Sequence, residues 1–221
     1  LNNATSYGIL VNNELYSLPE NQSGLPATMN AFLALEESGM EMARQTAQQI
    51  EAGALVANPV SNYEILAPVP HPTSCRDGYA FRQHVEAARK NRGVEMIPEF
   101  DQYPIFYFTN HQAVEGPGPV YCMPDHFEQL DFELEIAIVI GKKGRNIKAS
   151  EADAYIAGFT IMNDMSARKL QMEEMLLNLG PAKGKDFSTV IGPWLVTPDE
   201  LTQKVVPTKA GHTGLNYNLA M

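Results

Sequence analysis

Apolar positions change their spacing twice along the chain, and each change marks a different kind of element. In YGILVNNELYSL two short apolar runs flank Asn12-Asn13. Asn tolerates the left-handed backbone that a tight turn demands, so the segment predicts a β-hairpin. Between residues 26 and 52 the spacing becomes helical. Pro26 is a start signal and Ser38-Gly39 a break, which predicts a short helix followed by an amphipathic one. Pro59, Pro68, Pro70 and Pro72 then forbid continued helix. A boundary is placed here, between a small N-terminal domain of residues 1–65 and a larger domain of residues 66–221. RDGYAFRQHVEAARKNRG predicts a turn entering a helix that begins near Tyr79 or Ala80 and ends at Gly93.

From Gln102 onward the period shortens to that of strands, in YPIFYF, LDFELEIAIVIG and AYIAGFTIMND. Short helices interrupt them, with caps expected at Ser150 (with Asp153) and at Thr197-Pro198 (with Glu200). The pattern predicts an α+β, mostly β chain. In the final GHTGLNYNLAM, Leu215, Tyr217 and Leu219 alternate with Asn216, Asn218 and Ala220. That reads as a strand cut in its middle, with part of the machinery expected beyond Met221.

Composition narrows the classes of function. The 221 residues carry 16 basic and 26 acidic side chains, a formal charge of −10, and so acidic a surface repels phosphate backbones. Nucleic acid is excluded as a partner. No apolar run approaches the ~20 residues of a membrane-spanning helix, which excludes a membrane partner. Cys75 and Cys122 are too few for a disulfide scaffold or a thiolate zinc site, and a cytoplasmic location is expected.

The strongest chemical signal lies in the run from Asp131 to Ile140. Side chains alternate across a strand, so Phe132, Leu134, Ile136, Ile138 and Ile140 share one face while Glu133, Glu135, Ala137 and Val139 share the other. Two readings stand. The carboxylates are either the solvated face of a half-exposed strand or a pair buried around a cation, the strand being covered on both faces further along. Any metal would take oxygen ligands, because no Cys or His pair has zinc spacing; a hard cation, Mg²⁺, Mn²⁺ or Ca²⁺, is implied. Asp77 and Asp164 are further candidate ligands, Asp164 alternatively capping the helix that follows it. Arg168 and Gln171, three apart, share a helical face that is either solvated or offers donors to a small anion. His84, seven residues after Asp77, is a candidate base or a structural histidine. GPAKGKDFSTVIGPW lacks the spacing of a phosphate loop, and Lys185 within it reads better as a cation aimed at an oxyanion.

Taken in order, RDGYAFRQHV, LDFELEIAIVIGKKGRNI, IMNDMSARKLQ and LGPAKGKDFSTVIGPWLVTPDEL resemble the fumarylacetoacetate hydrolase family, from about Arg76 to Leu201. The resemblance implies a β-sandwich roll catalytic domain, a smaller α+β N-terminal domain and a homodimer. It makes Asp77, Glu133, Glu135 and Asp164 the ligands of a divalent cation, Mg²⁺ or Ca²⁺, with Lys185 and Thr189 beside it. It makes His84 the base that activates water, its orienting carboxylate lying beyond Met221, and Arg168, Gln171 and Lys185 the donors to substrate and oxyanion. Tyr79 and Tyr107 match substrate contacts. Met165 and Met175 depart from the family's aromatic residues at those positions. The implied reaction is hydrolysis of a C–C bond in a 1,3-diketo acid of the fumarylacetoacetate or acylpyruvate type. The alternative is an oxaloacetate-type decarboxylase or a hydroxymuconate-type isomerase on the same metal site.

Overall fold

A computed structural model describes residues 5–218. The expected hairpin is present: β1 (Gly8–Val11) pairs antiparallel with β2 (Glu14–Ser17), and Asn12 and Asn13 both hold positive φ, 51° and 64°. Positive φ at both central residues is what a two-residue loop needs to match the strand twist. Helices α1 (Leu18–Asn21), α2 (Met29–Leu33) and α3 (Glu37–Glu51) follow. Leu18, Leu25, Phe32 and Ala43 form their buried core, and the Tyr7 ring packs on Phe32 at 5.0 Å.

The helical break falls earlier than the sequence suggests. It occupies residues 34–36, where Glu36 takes φ 51°, and both Ser38 and Gly39 lie inside α3. Gly39 is a close-approach residue rather than a breaker. A Cβ there would stand 2.9 Å from the Leu35 Cβ and 3.1 Å from the Phe32 carbonyl oxygen, so its absence lets α3 pack onto α2.

The proline-rich stretch 54–74 contains neither helix nor strand. Beyond it come β3 (Cys75–Asp77), α4 (Arg82–Asn91), α5 (Glu99–Gln102), β4 (Tyr107–Thr109) and β5 (Val114–Glu115). Strands β6 (Leu130–Asp131), β7 (Leu134–Ile140), β8 (Ile156–Asp164) and β9 (Ser166–Ala167) lead into α6 (Arg168–Met175), and β10 (Thr189–Ile191), β11 (Val205–Val206) and β12 (Asn216–Tyr217) complete the order. Of the expected C-terminal strand only β12 is described; residues 219–221 lie outside the described residues. The main sheet has the order β5-β10-β8-β7, with β8 antiparallel to both neighbours and β10 parallel to β5. Pairs β3-β4 and β6-β9 flank it in sequence.

Three further expectations are corrected. The run from Asp131 to Ile140 is interrupted at Phe132-Glu133, because the Glu133 amide donates to the Asn163 side chain (3.1 Å) where a ladder bond would run. The covered and open faces of β7 are also exchanged: Leu134, Ile138 and Ile140 are exposed, whereas Glu135, Ala137 and Val139 are half-buried. With Leu134, Ile138 and Ile140 exposed, the coverage expected on both faces is missing on that one. The turn near Ser150 begins at Ala149, and Asp153 accepts from the Leu215 amide (2.6 Å) instead of serving a cap. The Thr197 cap is as expected, with Glu200 accepting from the Thr197 amide at 2.7 Å.

Because Phe32 is 4% exposed at the centre of the N-terminal core, Phe32→Ala is expected to cost about 3–5 kcal/mol. Urea titration measures this, and a loss under about 1 kcal/mol contradicts the packing described.

Candidate metal centre

The site forms where strand ends converge. Asp77 closes β3, Asp164 closes β8 and Glu135 is the second residue of β7. Strand β8 lies between its two partners, and its last residue stands opposite Thr189 of β10, so Asp164 is only 2% exposed. One oxygen from each of Asp77, Glu135 and Asp164 lies within 4.8 Å of the others.

So many carboxylates at such range raise one another's proton affinity. Burial, then the charges of Asp77, Asp164 and Glu133, push Glu135 up to about 8. Burial raises Asp164 as well, against the opposing pull of Lys185. The Asp164 Oδ2 accepts from Lys185 Nζ (2.7 Å) and from the Tyr107 hydroxyl (3.2 Å), while its Oδ1 is buried without a partner. An orphaned buried oxygen beside two further carboxylates fits a divalent cation, and the all-oxygen donor set suits a hard one.

The remaining expected residues divide into those brought to this cluster and those left aside. Glu133 faces cations of the protein: its Oε2 accepts from Lys185 Nζ (2.5 Å) and its Oε1 from Arg168 Nη1 (2.7 Å). Lys185 therefore bridges Glu133 and Asp164, and it is 4% exposed. Arg168 also donates to the Gln171 Oε1 at 3.2 Å, so the helical face read from their spacing is real and turns toward Glu133. Thr189 is buried across from Asp164. Tyr107, expected at the substrate, instead donates to the Asp77 Oδ2 (2.9 Å) as well as to Asp164. Burial and those carboxylates raise its hydroxyl far above the ordinary tyrosine range. Tyr79 is exposed and stacks on Phe100 at 6.2 Å. His84 is exposed on the first turn of α4, outside the polar contacts of the cluster.

Two further residues join this network. Asp131 accepts from Arg168 Nε at 3.0 Å, so Asp131 and Glu133 together fix the guanidinium. The signal was available, since Asp131, Glu133 and Glu135 share one strand face by the same alternation. Glu174, in the last turn of α6, accepts from the Gly184 amide at 3.0 Å. Its spacing carries no mark that distinguishes it from a solvated glutamate.

Metal-free protein should lose stability as pH rises. A Glu135 carboxyl that titrates near about 8 when folded, but in the ordinary carboxylate range when unfolded, binds its proton more tightly in the native state. Its contribution is thus complete below the unfolded value and is lost as pH climbs through about 8. A cation at about 100 times its Kd stabilises by about 2.7 kcal/mol, or about 5–10 °C in Tm for a chain of this size. Thermal melts from pH 5 to 9 with EDTA, or with Mg²⁺ or Mn²⁺, test both effects, and Glu135→Gln should flatten the pH slope without abolishing it, since Asp164 is raised too, and should weaken the metal effect. A Tm in EDTA with the same pH slope in the wild type and Glu135→Gln would refute the assignment.

The fumarylacetoacetate (FAA) hydrolase C-terminal family model matches residues 73–218. The mitochondrial oxaloacetate tautomerase Fahd2a of Rattus norvegicus is 35% identical over 184 residues, covering 80% of this chain and 53% of its own. Its human counterpart FAHD2A is 36% identical over 185 residues, with the same coverage. The chain thus spans about half the length of these curated relatives. Two solved structures share the fold. A fumarylacetoacetate hydrolase from psychrophilic Exiguobacterium antarcticum has a TM-score of 0.65 at 20% identity, over 93% of this chain and 67% of that one. Maleylpyruvate hydrolase from Sphingobium sp. SYK-6, solved with manganese(II) and pyruvate, has a TM-score of 0.61 at 19% identity, over 91% and 67%. A match that begins ahead of Asp77 and ends beyond Thr189 takes in every residue of the carboxylate cluster, and the chain belongs to the fumarylacetoacetate hydrolase family.

Proposed function

We propose that the chain carries the metal centre of an enzyme that interconverts the keto and enol forms of a 2-oxo dicarboxylic acid, oxaloacetate being the first candidate. The observation that carries this reading is the contact between an acidic triad and fixed donors: Lys185 touches Asp164 while also meeting Glu133, which Arg168 holds from the other side. The tautomerase names of the relatives at 35–36% identity support keto–enol chemistry over the C–C hydrolysis first expected. Their mitochondrial designation likewise stands beside the cytoplasmic location expected. No helix among the described residues is long and apolar enough to cross a membrane.

Asp77, Glu135 and Asp164 would hold a hard divalent cation, Mg²⁺ or Mn²⁺, which acts as a Lewis acid and makes the carbon next to a keto group more acidic. Arg168 and Gln171 bind and orient the substrate carboxylate, Arg168 as a planar fork whose rotation Asp131 limits. Lys185 donates toward the oxygen that becomes the enolate and stabilises charge that exists only after carbon 3 has lost its proton. Solvent water takes the proton from carbon 3 and a solvent proton is delivered to that oxygen, so the enol forms with no net change in protons. No water adds and no C–C bond breaks, so a tautomerase needs no nucleophile.

Enol absorbance measures the reaction directly, with the full-length protein and oxaloacetate in Mg²⁺ or Mn²⁺ against EDTA. Lys185→Met is expected to lower kcat by about 10²–10³-fold, the usual cost of removing one oxyanion donor. Equilibration no faster than in buffer with metal would end this reading. Hydrolysis remains the second reading because His84 lies on the first turn of α4, one short connection after Asp77 ends β3. There an acylpyruvate is cleaved and His84→Ala abolishes cleavage, whereas tautomerisation is expected to survive that substitution.

A further inference from the structure

We propose that Glu174 is the positioning residue that seats Lys185 in the carboxylate cluster, by clamping the segment that carries Lys185 onto helix α6. The role deepens the proposed tautomerase reading, in which the Lys185 ammonium supplies the donor to the enolate.

Lys185 presents a physical problem. Its ammonium sits 2.5 Å from Glu133 and 2.7 Å from Asp164, nearly out of reach of water, yet it projects from residues 178–188, where the chain forms neither strand nor α-helix. A buried ammonium is tolerable only while its carboxylate partners are held in place, and a mobile backbone would forfeit that geometry. Something outside the segment must fix it.

Asn110 donates to the Asp186 carbonyl oxygen at 3.1 Å, Ser188 donates to Glu115 at 2.9 Å and His126 stacks on Phe187 at 4.4 Å, while the contacts immediately ahead of Lys185 come from α6 or its entry. Glu174 reaches across with its Oε2 to the Gly184 amide at 3.0 Å and with its Oε1 to the Lys183 ammonium. Gly184 returns its carbonyl oxygen to the Ala167 amide at 2.8 Å. Gly184 also lies flush against the helix, where a Cβ would stand 2.7 Å from the Gln171 nitrogen and 2.8 Å from its Cα, so only glycine permits the approach. The residue just before Lys185 thus has both backbone polar groups committed, one of them to a carboxylate that is itself buried at 8% exposure. Burial raises its carboxyl, but the Lys183 ammonium and the Gly184 amide outweigh this and hold it below the ordinary range, as a fixed charged acceptor requires. The same helix carries Arg168 and Gln171, so one rigid element registers all three donors.

The test compares Glu174→Ala, Glu174→Gln and Lys183→Met in the full-length protein. Three readouts are combined: hydrogen exchange of the peptide covering residues 180–188, Mn²⁺ titration, and kcat and KM with oxaloacetate. Glu174→Ala strands the Gly184 amide, and exchange in the segment should rise about ten-fold, the size expected of an orphaned buried N–H. Because Lys185 acts on charge absent from the ground state, kcat should fall about ten-fold with KM changed less than about two-fold. Mn²⁺ affinity should hold, since the three ligands are untouched. Glu174→Gln keeps an acceptor for Gly184 and should restore most of both losses, and Lys183→Met, which removes the Oε1 contact but keeps the one to Gly184, should raise exchange far less than Glu174→Ala does. Unchanged exchange in Glu174→Ala overturns the proposal, as does a glutamine variant that exchanges as fast as the alanine one. Should Glu174→Ala fail to fold, the glutamine variant and Lys183→Met decide by the same exchange measurement. Exchange and Mn²⁺ binding need no turnover, so an inactive wild type would refute the tautomerase reading and leave the clamp to be judged by exchange alone.

Discussion

The Lys185 ammonium, held between Glu133 and Asp164, is the contact on which the rest of the site depends. Asp77, Glu133, Glu135 and Asp164 are brought together by strands that would repel one another at their ends without it. Two unit charges 4 Å apart interact by about 1 kcal/mol in water and about 4 kcal/mol at the effective dielectric of a protein surface. The fold answers this by dividing the carboxylates. Glu133 is neutralised by Lys185 and Arg168, and Asp164 shares Lys185, but Asp77 and Glu135 form no ion pair with a basic side chain among the described residues. The half without a cation of its own is the half with the raised Glu135 and the orphaned Asp164 oxygen. A proton or a divalent cation completes it, and these two compete.

That division is written into the topology. Strand β8 runs between β7 and β10 and delivers Asp164 to the point where the sheet stops, and two residues later β9 turns the chain into α6. The acid and the donors of Arg168 and Gln171 therefore come from one continuous stretch. Lys185 comes from a separate stretch that α6 holds. The site's two kinds of charge share a scaffold, which is how opposite charges can be fixed near one another without collapsing into a single ion pair.

The sequence made most of these residues legible, and the reasons for the exceptions are physical. Alternation within β7, with Glu135, Ala137 and Val139 on one face, and the helical spacing of Arg168 and Gln171 both survive in the structure, because backbone period decides which side chains share a face. What alternation does not encode is which face is covered. The apolar row of Leu134, Ile138 and Ile140 read as the core side and is the open one, since coverage depends on chain distant in sequence. Gly39 misled for a related reason: a glycine that breaks a helix and one that lets two helices touch are identical letters. Glu133 and Glu135 stand two apart and look equivalent, yet one meets Lys185 and the other Asp77 and Asp164, a distinction set wholly by which elements arrive from elsewhere.

In the proposed reading, the same arrangement accounts for why closely similar sites would serve different reactions. Removing a proton beside a keto group, cleaving a diketo acid and decarboxylating a β-keto acid all place negative charge on the oxygen that Lys185 faces. The triad and the donors of α6 stabilise that charge whatever formed it. The outcome is then decided by what reaches the reacting carbon: water activated by a base leads to cleavage, and a returning proton leads to the tautomer. His84 is exposed on the first turn of α4, outside the network that fixes Lys185, and in the hydrolytic reading it would be the base that activates that water. Fixing the donors on α6 while leaving the base on a separate helix lets the two requirements vary independently.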